Sequence, residues 1–167
     1  MPASEQDLLD CFRKLGIKTT TVRHPPLHSV TESRHLRGEI AGGHCKSLFL
    51  KDKKGQYLLV ILEEDRTLDM VGLFKSGKLP IKRLSFANAE TMKNMLGITP
   101  GSVTPFCLIN QVSEKLLVVL DKKMMENNLL NYHPLHNEAT TTISAPDLIK
   151  FITYFGFEPH VMDFDNL

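Results

Sequence analysis

The stretch Tyr132-His133-Pro134-Leu135-His136-Asn137-Glu138-Ala139-Thr140 gathers two imidazoles, a carboxamide, a carboxylate and a hydroxyl around one proline. Burying so many polar groups is costly unless each finds a partner. The spacing implies a corner between two elements, with side chains aimed at a metal, a substrate or the protein's own backbone. His133 and His136 stand three apart, which on a helix would suit a metal pair. Pro134 does not belong inside a helix, and zinc would need a third protein ligand. Glu138 and Cys45 are the candidates for that ligand, but neither has recognisable spacing. Asn137 suits a structural role, because its amide can bridge two backbone segments while Thr140 holds a neighbour.

Two further clusters could carry chemistry. In Gly101-Ser102-Val103-Thr104-Pro105, a glycine followed by small residues can turn several backbone N–H groups inward. Such a nest binds an anion or a developing oxyanion; the alternative is a plain turn into the next element. In Gly42-Gly43-His44-Cys45-Lys46-Ser47, Lys46 opens an otherwise apolar run. It is either a phosphate or carbonyl anchor or a solvated strand end. Cys45 could be an activated thiol, but neighbours on a strand point to opposite faces. If Lys46 faces a pocket, Cys45 does not. Arg34, His35, Arg37, His44 and Lys46 form a basic rim that could meet a nucleic-acid end.

The elements that must position these groups follow from local signals. Ser4 and Asp7 form a capping box for a helix with Leu8, Leu9, Phe12 and Leu15 inward, stopped by Gly16. Residues 19–23 are β-branched and predict a strand. Residues 31–36 predict a short helix, and 38–43 a glycine loop. Residues 46–51 and 56–62 flank Asp52-Lys53-Lys54-Gly55 and predict a β-hairpin. Residues 67–74 are ambiguous between helix and loop, and 82–86 predict an edge strand. Asn88 and Gly97 bracket a helix. Residues 106–110 and 115–121 predict a second hairpin, the latter buried on both faces. Residues 139–143 predict a strand. Ser144, Pro146 and Asp147 open a last helix that Gly156 closes, and 157–162 return as a strand. The whole is an α+β chain, one domain over residues 1–167 with a mixed sheet.

Composition narrows the function classes. A chain of 167 residues with 42% apolar residues can bury a sizeable core. A net charge of +1 excludes a general nucleic-acid coat, so any phosphate contact must come from a local patch. Cys11, Cys45 and Cys107 lie too far apart for a zinc ribbon and suit a reducing compartment. The polar start and the absence of a long apolar run predict a cytoplasmic protein.

Taken in order, several of these pieces resemble one known family. They are His24-Pro25, Lys46-Ser47-Leu48-Phe49-Leu50-Lys51-Asp52, Leu84-Ser85-Phe86-Ala87, Leu96-Gly97, Pro100 to Phe106, and His133-Pro134-Leu135-His136-Asn137 with Thr140 and Ile143-Ser144. The chain resembles the YbaK-like aminoacyl-tRNA deacylases related to the editing domain of bacterial prolyl-tRNA synthetase. Its pattern is most similar to the freestanding prolyl-tRNA synthetase associated domain proteins, which are similar to deacylases of alanine mischarged onto proline tRNA. The resemblance implies a mostly antiparallel, partly barrel-like sheet with flanking helices. It also implies ester hydrolysis with no cofactor and no metal. It admits aminoacylated tRNA as substrate and prolyl-tRNA synthetase as a partner.

The resemblance matches the family's essential lysine to Lys46, its glycine-to-proline loop to Gly101 and Pro105, and its His-Pro element to His133 and Pro134. Ser47 stands where many relatives carry asparagine. Backbone N–H groups of Gly101, Ser102 and Val103 would form the oxyanion site, and Lys46 would bind phosphate or carbonyl oxygen. His133 would position the adenosine or the ester. Leu27, Val30 and Phe106 would wall a small pocket that takes alanine and rejects proline. Pro134, Asn137 and Thr140 would brace it. Two rivals remain: a non-catalytic tRNA- or synthetase-binding module of the same fold, and a metal hydrolase using His133 and His136.

Overall fold

Helix α1 (Glu5–Leu15) starts where Ser4 Oγ accepts the Asp7 amide and the Asp7 carboxylate accepts the Ser4 amide. That reciprocal cap satisfies two amides that no helical carbonyl can reach. In the computed structural model, which describes residues 1–26, 40–113 and 115–167, α1 buries Leu8 and Phe12 against a sheet. The helix expected at 31–36 and residues 38–39 of the glycine loop lie outside the described residues.

The remaining elements follow in order. They are β1 (Thr19–Arg23), β2 (Gly43–Asp52), β3 (Tyr57–Glu63), α2 (Met70–Lys75), β4 (Leu84–Phe86) and α3 (Ala89–Leu96). Then come a 3-10 turn (Pro105–Asn110), β5 (Leu117–Asp121), β6 (Leu129–Tyr132), β7 (Ala139–Ser144), α4 (Ala145–Tyr154) and β8 (Pro159–Met162). The strands form one eight-stranded sheet in the order β1-β7-β6-β2-β3-β5-β8, with β4 attached to β2. The pairs β1–β7, β6–β7, β2–β3 and β2–β4 are antiparallel; β2–β6, β3–β5 and β5–β8 are parallel. The mixed sheet with flanking helices is the expected α+β architecture.

Two readings change. Residues 106–110 are no strand. Thr104 Oγ accepts the Phe106 amide and Pro105 occupies the first turn, so the segment coils into a buried 3-10 turn. The strand at Leu117–Asp121 therefore pairs with β3 and β8 rather than with that segment. The short strand β6 was not anticipated; Asn131 interrupts its apolar pattern. That asparagine is buried and donates to the carbonyls of Ala41 (3.0 Å) and Gly43 (3.2 Å), while its own carbonyl accepts from Thr142 Oγ (2.5 Å).

The β2–β6 junction spans only Gly43↔Leu130 and His44↔Asn131. Gly42 makes the approach possible. Its φ is 102°, and a Cβ there would lie 2.9 Å from the Leu129 carbonyl oxygen. One sheet face carries Phe49, Leu59, Ile61, Val118 and Leu120 into a core with α1 and α4. The other carries Leu50, Leu58, Val60, Leu62 and Val119 into a smaller core with Leu73, Leu79 and Ile81.

Candidate active site

Strand alternation settles which way the residues around Lys46 point. Lys46 pairs with Leu62, which belongs to the smaller core; Cys45 and Ser47 flank it and lean to the larger one. The Cys45 thiol is pushed up to about 12, first by burial, with a Tyr132 hydrogen bond opposing weakly. It is a core thiol, not a nucleophile. Ser47 pairs with Ile61 on that same face, and its buried Oγ has no partner among the described residues. Ser47 therefore does not share a surface with Lys46, contrary to the expected substrate contact. The Lys46 ammonium makes no hydrogen bond or ion pair with any described residue, and the side chain is half-buried.

The parallel β2–β6 register brings the histidine corner to this point. His44 lies opposite Asn131, the last paired position; alternation carried two residues further along each chain turns Lys46 and His133 to the same face. His133 Nδ1 lies 3.2 Å from the Ala139 carbonyl. A carbonyl can only accept, so Nδ1 carries the proton and Nε2 is a bare acceptor in the neutral ring. Burial holds the His133 pKa below its ordinary value. The Ala139 carbonyl pulls it up; the His24 and His136 rings lower it, and Glu64 raises it. Glu64 follows β3, its amide donating to the His44 carbonyl at 2.9 Å. No sequence signal marked it, since Glu63-Glu64-Asp65 looks like a solvated acidic turn. His24 carried no assigned role; its Nε2 meets Thr140 Oγ at 2.8 Å, linking β1 to β7 beside His133.

The corner is built to hold its shape. Pro134 is buried, and Leu135 adopts φ 75°, a left-handed conformation costing about 1–2 kcal/mol for a residue with a Cβ. Leu135 packs against the larger core, which compensates that strain. His136 has a structural task. Its Nε2 lies 2.7 Å from Glu5 Oε1, and its Nδ1 accepts the Glu138 amide at 3.1 Å. Glu5 also pairs with Arg23, which is the main reason its carboxyl sits low. Both ring nitrogens of His136 are thus engaged, which removes it from a metal pair with His133. Among the described residues, no three His, Cys, Asp or Glu side chains converge as a metal set.

Gly101 meets the corner from the other side. Its φ is 88°, and a Cβ there would lie 3.7 Å from Asn137 Nδ2. The conformation, rather than lack of room, calls for glycine. Ser102 is buried, and its amide is spent on the Thr99 carbonyl at 3.1 Å, so it is not available to an oxyanion. The Gly101 and Val103 amides have no acceptor among the described residues. Pro105 is buried, and Phe106 is fully buried among Phe12, Tyr132 and Phe151, with ring centroids 5.1, 5.8 and 5.4 Å away. Phe106 is a core residue, not a pocket wall. Leu27 and Val30, the other expected walls, lie outside the described residues. No helix among the described residues is long and apolar enough to cross a membrane.

Known proteins resemble this chain in sequence and in fold. The chain is 31% identical over 154 residues to the prolyl-tRNA editing protein ProX of Acetoanaerobium sticklandii, covering 92% of this chain and 93% of that one. It is 30% identical over 162 residues to the prolyl-tRNA synthetase associated domain-containing protein 1 of Danio rerio, covering 96% and 87%. Two solved structures superpose at 17% identity, which speaks to fold alone. The hypothetical protein APE2540 gives a TM-score of 0.71 over 92% of this chain and 97% of its own. A candidate trans-editing enzyme for prolyl-tRNA synthetase gives 0.70 over 96% and 98%. The aminoacyl-tRNA editing domain model matches residues 24–151, from the first histidine of the cluster into α4, and the chain belongs to that family.

Proposed function

We propose that this chain hydrolyses the ester of mischarged tRNA, with alanine on proline tRNA as its substrate, and does so without a metal. The observation that carries this reading is that strand alternation, carried on from the β2–β6 register, turns Lys46 and His133 to one face, while Gly101 lies by Asn137 of the histidine corner. The ProX relative, a prolyl-tRNA editing protein by name, supports the tRNA. An aminoacyl ester has a good leaving group, so placed water suffices and no covalent nucleophile is needed.

Water adds to the carbonyl carbon and the carbonyl oxygen takes the negative charge. The Gly101 and Val103 amides stabilise that charge; one such contact contributes about 3 kcal/mol. The bond to the ribose oxygen then breaks, the amino acid leaves as a carboxylate, and a proton passes to the ribose oxygen. Lys46 holds a phosphate or carbonyl oxygen of the tRNA end. Neutral His133, through Nε2, accepts a hydrogen bond from a ribose hydroxyl or from the water and fixes its position.

A panel of proline tRNAs charged with alanine, glycine, serine or proline tests the reading. Alanine is expected to be released fastest. Proline should lag by about 10- to 100-fold, the cost of forcing a larger ring into a packed pocket. Hydrolysis should persist after treatment with a chelator. A folded protein that releases no amino acid from any of these tRNAs would leave the non-catalytic binding module in its place.

The lowered pKa of His133 gives a second expectation. Its folded value lies below the ordinary 6.5, so the ring stays neutral as pH falls through that value. The unfolded chain binds the proton first, and stability falls as pH drops from 6.5 toward the folded value. The acid limb of kcat/KM against pH should therefore lie below 6.5, and His133→Asn should abolish it. A limb above 6.5 would contradict a buried neutral imidazole.

A further inference from the structure

At the other end of β2, six residues and ~20 Å of strand from Lys46, lies a cleft that the proposed chemistry does not use. It measures about 470 Å³ and is lined by Lys54, Lys82 and Lys115 around an apolar floor of Tyr57, Pro80, Met95 and Leu116. The three lysines come from separate segments, yet their backbones are tied together. The buried Asp52 carboxylate accepts the amides of Lys54 (2.9 Å) and Gln56 (2.8 Å) on one oxygen and of Lys82 (2.8 Å) on the other. Gln56 in turn donates to the Lys115 carbonyl at 2.6 Å.

Among the described residues, Asp52 is the one acidic side chain lining the cleft. Burial pushes its pKa up, but the amides of Lys82, Gln56, Lys54 and Gly55 outweigh that and hold it low. Its charge is thereby committed to backbone N–H groups rather than to the lysines. None of the three ammonium groups makes an ion pair with a described residue, and Lys53 and Arg83 adjoin Lys54 and Lys82 in sequence. In a chain of net charge +1, this is a concentration of unpaired positive charge on a fixed frame.

We propose that this cleft grips the phosphate backbone of the tRNA while the aminoacylated end lies at Lys46, a contact that rests on the tRNA reading above. Lysine supplies point charges suited to phosphate without base selection. The apolar floor, with Tyr57 stacked on Phe49 at 5.4 Å, suits a ribose or base between phosphates.

The test is equilibrium binding of uncharged proline tRNA, followed by fluorescence anisotropy over a salt series. The triple variant Lys54→Gln, Lys82→Gln, Lys115→Gln is compared with Lys18→Gln, Lys75→Gln, Lys122→Gln, which loses the same charge elsewhere. The cleft variant should bind about tenfold or more weakly at 0.1 M salt, and its slope of log K against log salt should fall by about 2. The second variant should stay near the wild type, and both should melt near the wild-type temperature. Equal weakening in the two variants, or none in either, overturns the proposal. Because the tRNA is uncharged, the outcome is separate from hydrolysis. A protein that binds through the cleft but releases no amino acid would sink the deacylase reading and keep this one.

Discussion

Lys46→Ala should lower kcat/KM for alanyl-tRNA by about 10²-fold or more, while leaving the melting temperature close to that of the wild type. Removing a positioned charge that touches a developing anion or its phosphate commonly costs that much in rate. The fold should tolerate the change, because the ammonium has no ion-pair or hydrogen-bond partner among the described residues. Substitutions of that kind usually stay within about 0.5 kcal/mol. Lys46→Arg separates charge from shape. It should recover part of KM but little of kcat, since a planar fork cannot occupy the place of a compact ammonium. Single-turnover deacylation measures both. Full activity in Lys46→Ala would remove this residue from the site, even if the chain proves to be a deacylase.

Phe106→Ala should cost about 3–5 kcal/mol of stability, the range for truncating a buried aromatic. The ring makes edge contacts with Phe12, Tyr132 and Phe151 and is fully buried, so no other side chain can fill its place without moving α1 or α4. Chemical denaturation monitored by circular dichroism gives the loss. The milder Phe106→Leu should fold and keep the wild-type preference for alanine over proline. A pocket wall would behave otherwise, since shortening it would admit proline. A shift in preference with Phe106→Leu would therefore return this residue to the substrate pocket.

The caps were legible in the sequence because they are local. Ser4 with Asp7, Asn88 with Gly97 and Ser144 with Pro146 each place a side-chain oxygen or a glycine within one turn of the amides they serve. The β2–β3 hairpin was legible for the same reason. Pro105 to Asn110 misled because a short buried apolar run has no period that tells a strand from a coil. Thr104-Pro105 was the better signal: a hydroxyl cap followed by a proline opens a helical turn. Strand β6 could not be found locally, since four residues around a buried asparagine become a strand only when β2 and β7 lie on either side.

The site divides the same way. Lys46, Gly101 and His133 could be named from residue types and a family resemblance. The register that turns His133 to the face of Lys46, and the bond from the Glu64 amide to His44, belong to long-range pairing that no sequence window contains. Ser47 shows the limit most plainly: adjacency in sequence to Lys46 became opposition across the sheet.

The junction between β2 and β6 has a thermodynamic consequence. Among the described residues, its two paired positions, held by Asn131, are all that joins the β1-β7-β6 half of the sheet to the β2-β3-β5-β8 half through backbone pairing. Cooperative units in a protein part where the fewest bonds cross, and opening there costs less than global unfolding. Lys46 sits on one half and His133 on the other. On the proposed reading the two site residues thus lie on either side of this seam, and a fluctuation that opened it would separate them while amides elsewhere stayed protected.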